Sequence, residues 1–139
     1  MLVTISEVCL LTICIIPSGF EINLFHAVSN EAVDRDQFRI SILNKELCAE
    51  VETAIRNVHG HGFVWYAGEE SFSIDDREPD EFIQWYRDND KEGFETYLTY
   101  HFTPDNPALE SQQSIAEVFL EYAKILLPLF DKVSYRWGG

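Results

Sequence analysis

The first part of the chain contains an apolar run that has the length of a β-strand. The nine residues Val8–Ile16 carry no charged side chain, and the turn-forming residues 17–19 follow them. The run is too short to span a bilayer. It also lacks the basic flank of a signal peptide, because Glu7 precedes it and the first basic residue is Arg35. The pattern predicts a buried strand, and the alternative is that residues 1–20 are a processed segment.

Hydrophobic residues then recur every three to five positions, which is typical of an amphipathic helix. We place this helix from Asp34 to Val58. Asp34 followed by Gln37 resembles a capping box at its start, and Gly60 is suited to its C-terminal end. The stripe expected to face the core consists of Phe38, Ile42, Leu47, Val51, Ile55 and Val58.

Three more strands are predicted in the middle of the chain. The segments Phe63–Tyr66 and Ser71–Ile74 flank the four-residue connection Ala67–Glu70, which contains a glycine, and together they predict a β-hairpin. From Phe94 to Phe102 the residues alternate with the period of a strand. One set of alternate residues is expected to face the core: Phe94, Thr96, Leu98, Tyr100 and Phe102.

Two helices complete the pattern. A short one begins at Pro79, with Asp80 and Glu81 near the positive end of its dipole, and its buried face is formed by Phe82, Trp85 and Tyr86. The last helix follows Pro107. Pro128 should kink or break it, because proline lacks the amide that would bond the carbonyl four residues earlier. Its apolar stripe comprises Ile115, Val118, Phe119, Tyr122, Ile125, Leu126, Leu129 and Phe130.

This order of elements predicts an α+β fold with a small antiparallel sheet and two long helices packed on one face. A chain of 139 residues has the size of one domain, so we expect residues 1–139 to form a single acidic domain. Ten Phe, six Tyr and three Trp provide large side chains for its core.

Negative charge is the strongest signal in the composition. The formal net charge is -14, which disfavours direct binding to nucleic acid and to anionic membrane surfaces. Between Glu69 and Glu95 there are eleven acidic residues against three basic ones. The acids are Glu69, Glu70, Asp75, Asp76, Glu78, Asp80, Glu81, Asp88, Asp90, Glu92 and Glu95. Such a charged segment favours a basic protein as partner.

Aromatic residues are interleaved with these acids, and aromatic side chains beside charges are typical of interface hot spots. We therefore predict a set of partner-binding residues: Trp65, Tyr66, Glu69, Glu70, Asp75, Asp76, Asp80, Glu81, Trp85, Tyr86, Asp88 and Asp90. The alternative is a solvated acidic face whose aromatic residues all point inward.

Two short motifs resemble metal sites. His59 and His61 would present both imidazoles to one metal if they lay in a strand. The sequence spacing does not identify a third metal ligand near them. Gly60 and Gly62 indicate instead that the histidines lie in a loop after a helix. Residues 88–99 begin like a calcium-binding loop but end in Thr99 where a bidentate Glu is needed. We expect no bound cofactor or metal.

Catalytic motifs are not recognised in the sequence. It contains neither a GxSxG nucleophile elbow nor a glycine-rich phosphate loop. The three cysteines, Cys9, Cys14 and Cys48, do not form a CxxC pair or a disulfide framework. We expect reduced thiols in a cytoplasmic protein.

In size and charge the chain resembles small bacterial immunity proteins and inhibitors, which are single acidic domains that neutralise a basic toxin by covering it. The leading hypothesis is therefore a non-enzymatic module that binds a basic partner. One alternative is a metal-dependent enzyme centred on His59 and His61. Another is an acidic secretion-type chaperone, which the chain also resembles and which implies a homodimer with an exposed apolar groove.

Overall fold

The computed structural model describes residues 10–26, 38–91 and 93–133, and it confirms the α+β fold. Five strands form one sheet: β1 (Leu10–Ile16), β2 (Gly19–His26), β3 (Val64–Ala67), β4 (Glu70–Ser73) and β5 (Thr96–Phe102). Among the described residues, three α-helices of more than ten residues accompany them: α1 (Lys45–Val58), α2 (Pro79–Asn89) and α3 (Gln112–Val133). In the part described, none of these helices is long and apolar enough to cross a membrane.

The sheet is built from two hairpins that flank β5. Its strand order is β1-β2-β5-β3-β4, and every neighbouring pair is antiparallel. Leu98 in β5 lies opposite Leu24 of β2 on one side and opposite Trp65 of β3 on the other. Because directly opposed residues share a sheet face, these three buried side chains mark the centre of the face that the helices cover.

The helices complete the core above that face. Helix α1 contributes Val51, Ala54, Ile55 and Val58, and the N-terminal and central turns of α2 contribute Phe82, Ile83, Trp85 and Tyr86. Helix α3 contributes Leu126 and Leu129, which are fully buried. The opposite face of the sheet carries Tyr66 and Tyr97, whose rings stack at 5.3 Å. The helices therefore cover one face, as predicted.

The first strand and its turn form where the hydrophobic pattern predicts them, but β1 is an edge strand and its described side chains, Cys14 and Ile16, are half-buried instead of buried. Strand β1 ends at Ile16, directly before Pro17, and residues 1–9 lie outside the described part of the chain. Strand β2 was not predicted, although Ile22 and Leu24 alternate with Glu21 and Asn23. Two hydrophobic positions in so short a run were too weak a signal.

The predicted first helix is interrupted. Residues 38–41 are helical, residues 42–44 form a turn, and α1 begins at Lys45. The side-chain oxygen of Asn44 accepts hydrogen bonds from the amides of Glu46 and Leu47, so Asn44 is the N-cap. An asparagine that bonds nearby amides competes with helix continuation. The proposed cap at residues 34–37 lies outside the described residues, whereas the predicted helix end at Val58 is confirmed.

The second hairpin and α2 follow the local signals closely. The connection between β3 and β4 is reduced to Gly68 and Glu69, with Gly68 at φ +61°. Helix α2 starts at Pro79, and Glu78 and Glu81 form its capping box. Its predicted apolar face is buried, with Phe82, Trp85 and Tyr86 at 8 % exposure or less.

The prediction for the start of β5 is wrong, and of the kink or break expected at Pro128 the break does not occur. Strand β5 begins at Thr96, and Phe94 is 51 % exposed instead of lying in the core. Pro128 does not break α3, which continues to Val133. Pro128 and Lys124 are both exposed, so the carbonyl that loses its helical hydrogen bond lies on the solvent side and can bond water.

Candidate functional site

The outward face of α2 carries a row of polar side chains. Asp80, Gln84 and Asp88 are spaced by four residues and all three are exposed, so they follow one another along about 12 Å of the helix. The side-chain amide of Gln84 donates to a carboxylate oxygen of Asp88 at 2.9 Å. The row therefore places the exposed carboxylates of Asp80 and Asp88 on the same face of α2.

A second group of acids surrounds the turn between β3 and β4. Glu69 and Glu70 are exposed there, and the Gly68 amide bonds the Glu95 carbonyl at 3.0 Å, which brings Glu95 beside them. A shallow groove of about 310 Å³ joins this turn to the C-terminal end of α2, with Asn89, Lys91 and Phe94 along it. We call Asp80, Asp88, Glu69, Glu70 and Glu95 the acidic surface.

Other predicted acids hold the fold together and are not available in the same way. Asp90 has a side-chain exposure of 4 % and pairs with the guanidinium of Arg39 through two hydrogen bonds. Glu81 closes the capping box and lies 3.5 Å from Arg77. Asp90 is therefore removed from the set of partner-binding residues, because a buried carboxylate cannot contact a partner.

For three of the four predicted aromatic partner-binding residues, the prediction is wrong because their side chains are buried. Trp65 is 1 % exposed, Trp85 8 % and Tyr86 0 %, and all three pack in the core. The rings of Trp65 and Tyr86 contact each other, and all three rings contact Phe82. Tyr66 keeps partial exposure, but it lies on the sheet face opposite the helices. The spacing of these residues reflects packing of α2 on β3 and not a binding surface.

The structure also contains an exposed apolar patch that the sequence analysis did not predict. Ile40 is 61 % exposed, Leu43 75 % and Leu47 38 %. The guanidinium of Arg87 donates to the carbonyl of Ile42, so this segment lies against the C-terminal half of α2, which also carries Asp88. We call Ile40, Leu43 and Leu47 the apolar patch. Ile40 and Leu43 fall outside the predicted core stripe, and that was the available signal for exposure.

The histidine pair has a structural explanation. His59 and His61 lie in a loop whose glycines, Gly60 and Gly62, have φ of +92° and +78°. Both glycine amides donate to the carboxylate of Asp75, at 2.6 and 2.9 Å. The His61 ring packs against Tyr122, whereas His59 Nε2 lies 3.2 Å from the Asp75 carbonyl oxygen. The two imidazoles therefore have separate partners.

The metal-site hypotheses gain no ligand set from this geometry. Among the described residues, no group of three or more His, Cys, Asp or Glu side chains is arranged to hold a metal ion. The calcium-like segment is divided between the end of α2, where Asp90 pairs with Arg39, and β5, where Thr99 is buried.

Asp75→Ala should destabilise the fold by about 1–3 kcal/mol, because two backbone amides lose a charged acceptor. Urea unfolding measures the change. Asp76→Ala is the matched control, since Asp76 is its exposed neighbour, and it should change stability by less than about 0.5 kcal/mol. Equal effects of the two substitutions would show that the Asp75 carboxylate does not hold the loop.

Two tyrosines have perturbed acidity for identifiable reasons. Burial raises the pKa of Tyr97, with further contributions from Glu21, Tyr66 and Glu95. Burial also raises the pKa of Tyr122, which lies beside Tyr100. Tyrosine hydroxyls are neutral at physiological pH, and the raised pKa values extend this neutrality to more alkaline solutions, so neither adds to the negative charge of the molecule.

Known proteins give no further guide to this site. No protein-family model, no curated protein and no solved structure matches the chain. What the protein does must therefore be argued from its own residues: the acidic surface, the apolar patch beside it, and the loop at His59 and His61.

Proposed function

We propose that the protein is a non-enzymatic binding module that docks its acidic surface on a basic protein partner. The observation that carries the proposal is the position of the apolar patch beside the C-terminal half of α2. The exposed carboxylate of Asp88 lies on this half of α2, and the exposed aliphatic side chains lie on the segment packed against it. Binding surfaces combine these two features, because charge steers the partner and apolar contacts retain it.

The charge of this region is unbalanced at the surface as well as in the sequence. Over residues 69–91 and 93–95, eight exposed acids stand against three exposed bases, Arg77, Arg87 and Lys91. An excess of one sign raises the local concentration of an oppositely charged partner, and it increases association rates by about 10- to 1000-fold at low salt. The field thus supports fast capture of a basic protein.

The apolar patch supplies the retention energy. Complete burial of a Leu or Ile side chain contributes about 1.5–3 kcal/mol, and Leu43 is three-quarters exposed in the free protein. A partner that covers Leu43 and its neighbours while facing Asp88 needs an apolar strip flanked by Lys or Arg. A basic amphipathic segment has this arrangement.

The proposal is tested by affinity capture from an extract of the source cell. The immobilised protein should retain a basic protein at low salt and release it in a salt gradient, with identification by mass. Bait carrying Asp80→Lys and Asp88→Lys should lose this protein. Bait carrying Asp105→Lys and Glu110→Lys, two exposed acids outside the acidic surface, has the same charge change and should keep it. Equal retention by all three baits would refute the docking site.

A further inference from the structure

We infer that α3 pairs with α3 of a second copy of this chain in antiparallel orientation, through an exposed stripe on the helix face that points away from the core. The stripe contains Leu120 and Leu127, which are 58 % and 49 % exposed. The two exposed leucines are one heptad apart on a helix that already buries another apolar face.

The spacing of the stripe is that of a coiled-coil seam. Gln113, Ala116, Leu120, Ala123 and Leu127 follow one another at intervals of three and four residues. This is the repeat that places side chains at the contact line between two helices. The core-facing side of α3 is a different row, which includes the buried Leu126 and Leu129. Helix α3 therefore has two apolar faces, and the fold of one chain covers one of them.

Charge selects the antiparallel orientation. Glu117 and Lys124 are exposed and flank the same side of the stripe. When Leu120 packs level with Ala123 of a second copy, Ala116 packs level with that copy's Leu127. In this register Glu117 and the second copy's Lys124 are offset by two residues, or about 3 Å along the axis. The two-fold symmetry forms this pair twice. A parallel pairing would instead place the Glu117 and Lys124 side chains of the two copies on opposite sides of the seam, so this pair could not form.

The surface beside the stripe is also suited to a second helix. A groove of about 560 Å³ runs along α3 and is lined by His61, Glu117, Leu120, Glu121 and Lys124, among others. It lies where the helix meets the loop at His61, and ridges of side chains from one helix pack into such grooves on another. The side chains of the stripe therefore form a ridge, and the groove beside them can receive side chains of the second helix.

The size of the contact predicts a weak dimer. Helix α3 has 22 residues, which gives a length of about 33 Å and a footprint about 10 Å wide. This is smaller than the roughly 800 Å² per partner of a stable interface. The net charge of -14 on each copy adds repulsion. We expect salt to strengthen the dimer by screening that repulsion, whereas salt weakens the binding of a basic partner.

Sedimentation velocity tests the dimer directly. The full chain should be monomeric at about 5 µM and increasingly dimeric towards about 500 µM, with more dimer in about 500 mM than in about 50 mM NaCl. Leu120→Gln with Leu127→Gln removes the stripe without changing charge and should leave a monomer at every concentration. Circular dichroism confirms that this variant folds, because both positions are exposed.

Charge exchange tests the orientation. Glu117→Lys and Lys124→Glu should each weaken the dimer by about three- to tenfold, because each replaces two attractive pairs with two repulsive ones. The double exchange keeps the net charge and should restore dimerisation. Glu117→Lys is decisive, since it lowers the negative charge of the chain: repulsion alone would make this variant dimerise more strongly.

A monomer at all concentrations and salt levels would overturn the inference, as would a dimer unaffected by the two leucine changes. A dimer that Glu117→Lys strengthens would refute the antiparallel pairing. The inference does not rest on the proposed function, because α3 and the acidic surface share no residue. Variants of the stripe should leave capture of the basic partner intact.

Discussion

Gly19→Ala should destabilise the fold by about 3–5 kcal/mol. Gly19 begins β2 at φ +135°, and a Cβ added there would lie 2.0 Å from the Phe102 carbonyl oxygen. The new methyl group meets rigid backbone in β5 and cannot be relieved by a side-chain rotation. The hairpin of β1 and β2 must therefore shift away from the central strand, and urea unfolding should detect the loss.

Gly60→Ala provides the matched control for this change. Gly60 also has positive φ, at +92°, but among the described residues nothing lies within 4 Å of the position that an alanine Cβ would take. Only backbone strain remains, so the loss should be about 1 kcal/mol. Similar losses for the two glycines would show that the contact with Phe102 does not restrain the first hairpin.

Asp90→Ala should destabilise the fold by about 2–4 kcal/mol, because it leaves the guanidinium of Arg39 without its buried partner. The lower part of this range reflects the 30 % exposure of the Arg39 side chain. The pair joins the end of α2 to the start of the 39–43 segment and so fixes the apolar patch. Thermal and urea unfolding measure the effect.

A double-mutant cycle separates the pair from its surroundings. Arg39→Ala and Asp90→Ala together should cost less than the sum of the two single changes, because the second change removes a side chain that has already lost the contact between the two residues. Asp88→Ala, two residues earlier in α2 and exposed, should change stability by less than about 0.5 kcal/mol. Strict additivity of Arg39→Ala and Asp90→Ala would contradict a stabilising ion pair.

Elements with strong local signals were predictable from the sequence. Pro79 followed by two acids fixed the start of α2, and Gly68 fixed the turn of the second hairpin. The alternation from Thr96 to Phe102 identified the central strand. In each case residues within one element determine its backbone, so tertiary contacts did not need to be known.

Burial at the ends of elements was not predictable in the same way. Phe94 has the correct alternation for the core, yet it precedes β5 and lies exposed against Gly68. Leu47 lies on the predicted stripe, but the turn capped by Asn44 begins a new helix and leaves Leu47 38 % exposed. Exposure depends on which partner covers a residue, and partners distant in sequence leave no local signal.

The same limit applies to the candidate site. The sequence located the negative charge, and the acidic surface lies within the predicted segment. It did not indicate that Asp90 pairs with Arg39 across 51 positions or that Asp75 binds the glycine amides of the histidine loop. The prediction that aromatic residues contact a partner was wrong. Residues spaced for one helix face were interpreted as surface residues, although that face packs on β3.

We propose that the acidic surface binds a positively charged partner, and the association rate with the captured protein tests this proposal most directly. Between about 50 and 500 mM NaCl, the rate for the unmodified protein should fall at least tenfold. The variant with Asp80→Lys and Asp88→Lys should associate slowly at low salt, and its association rate should change little as the salt concentration rises. An association rate that neither salt nor the two reversals change would contradict the account.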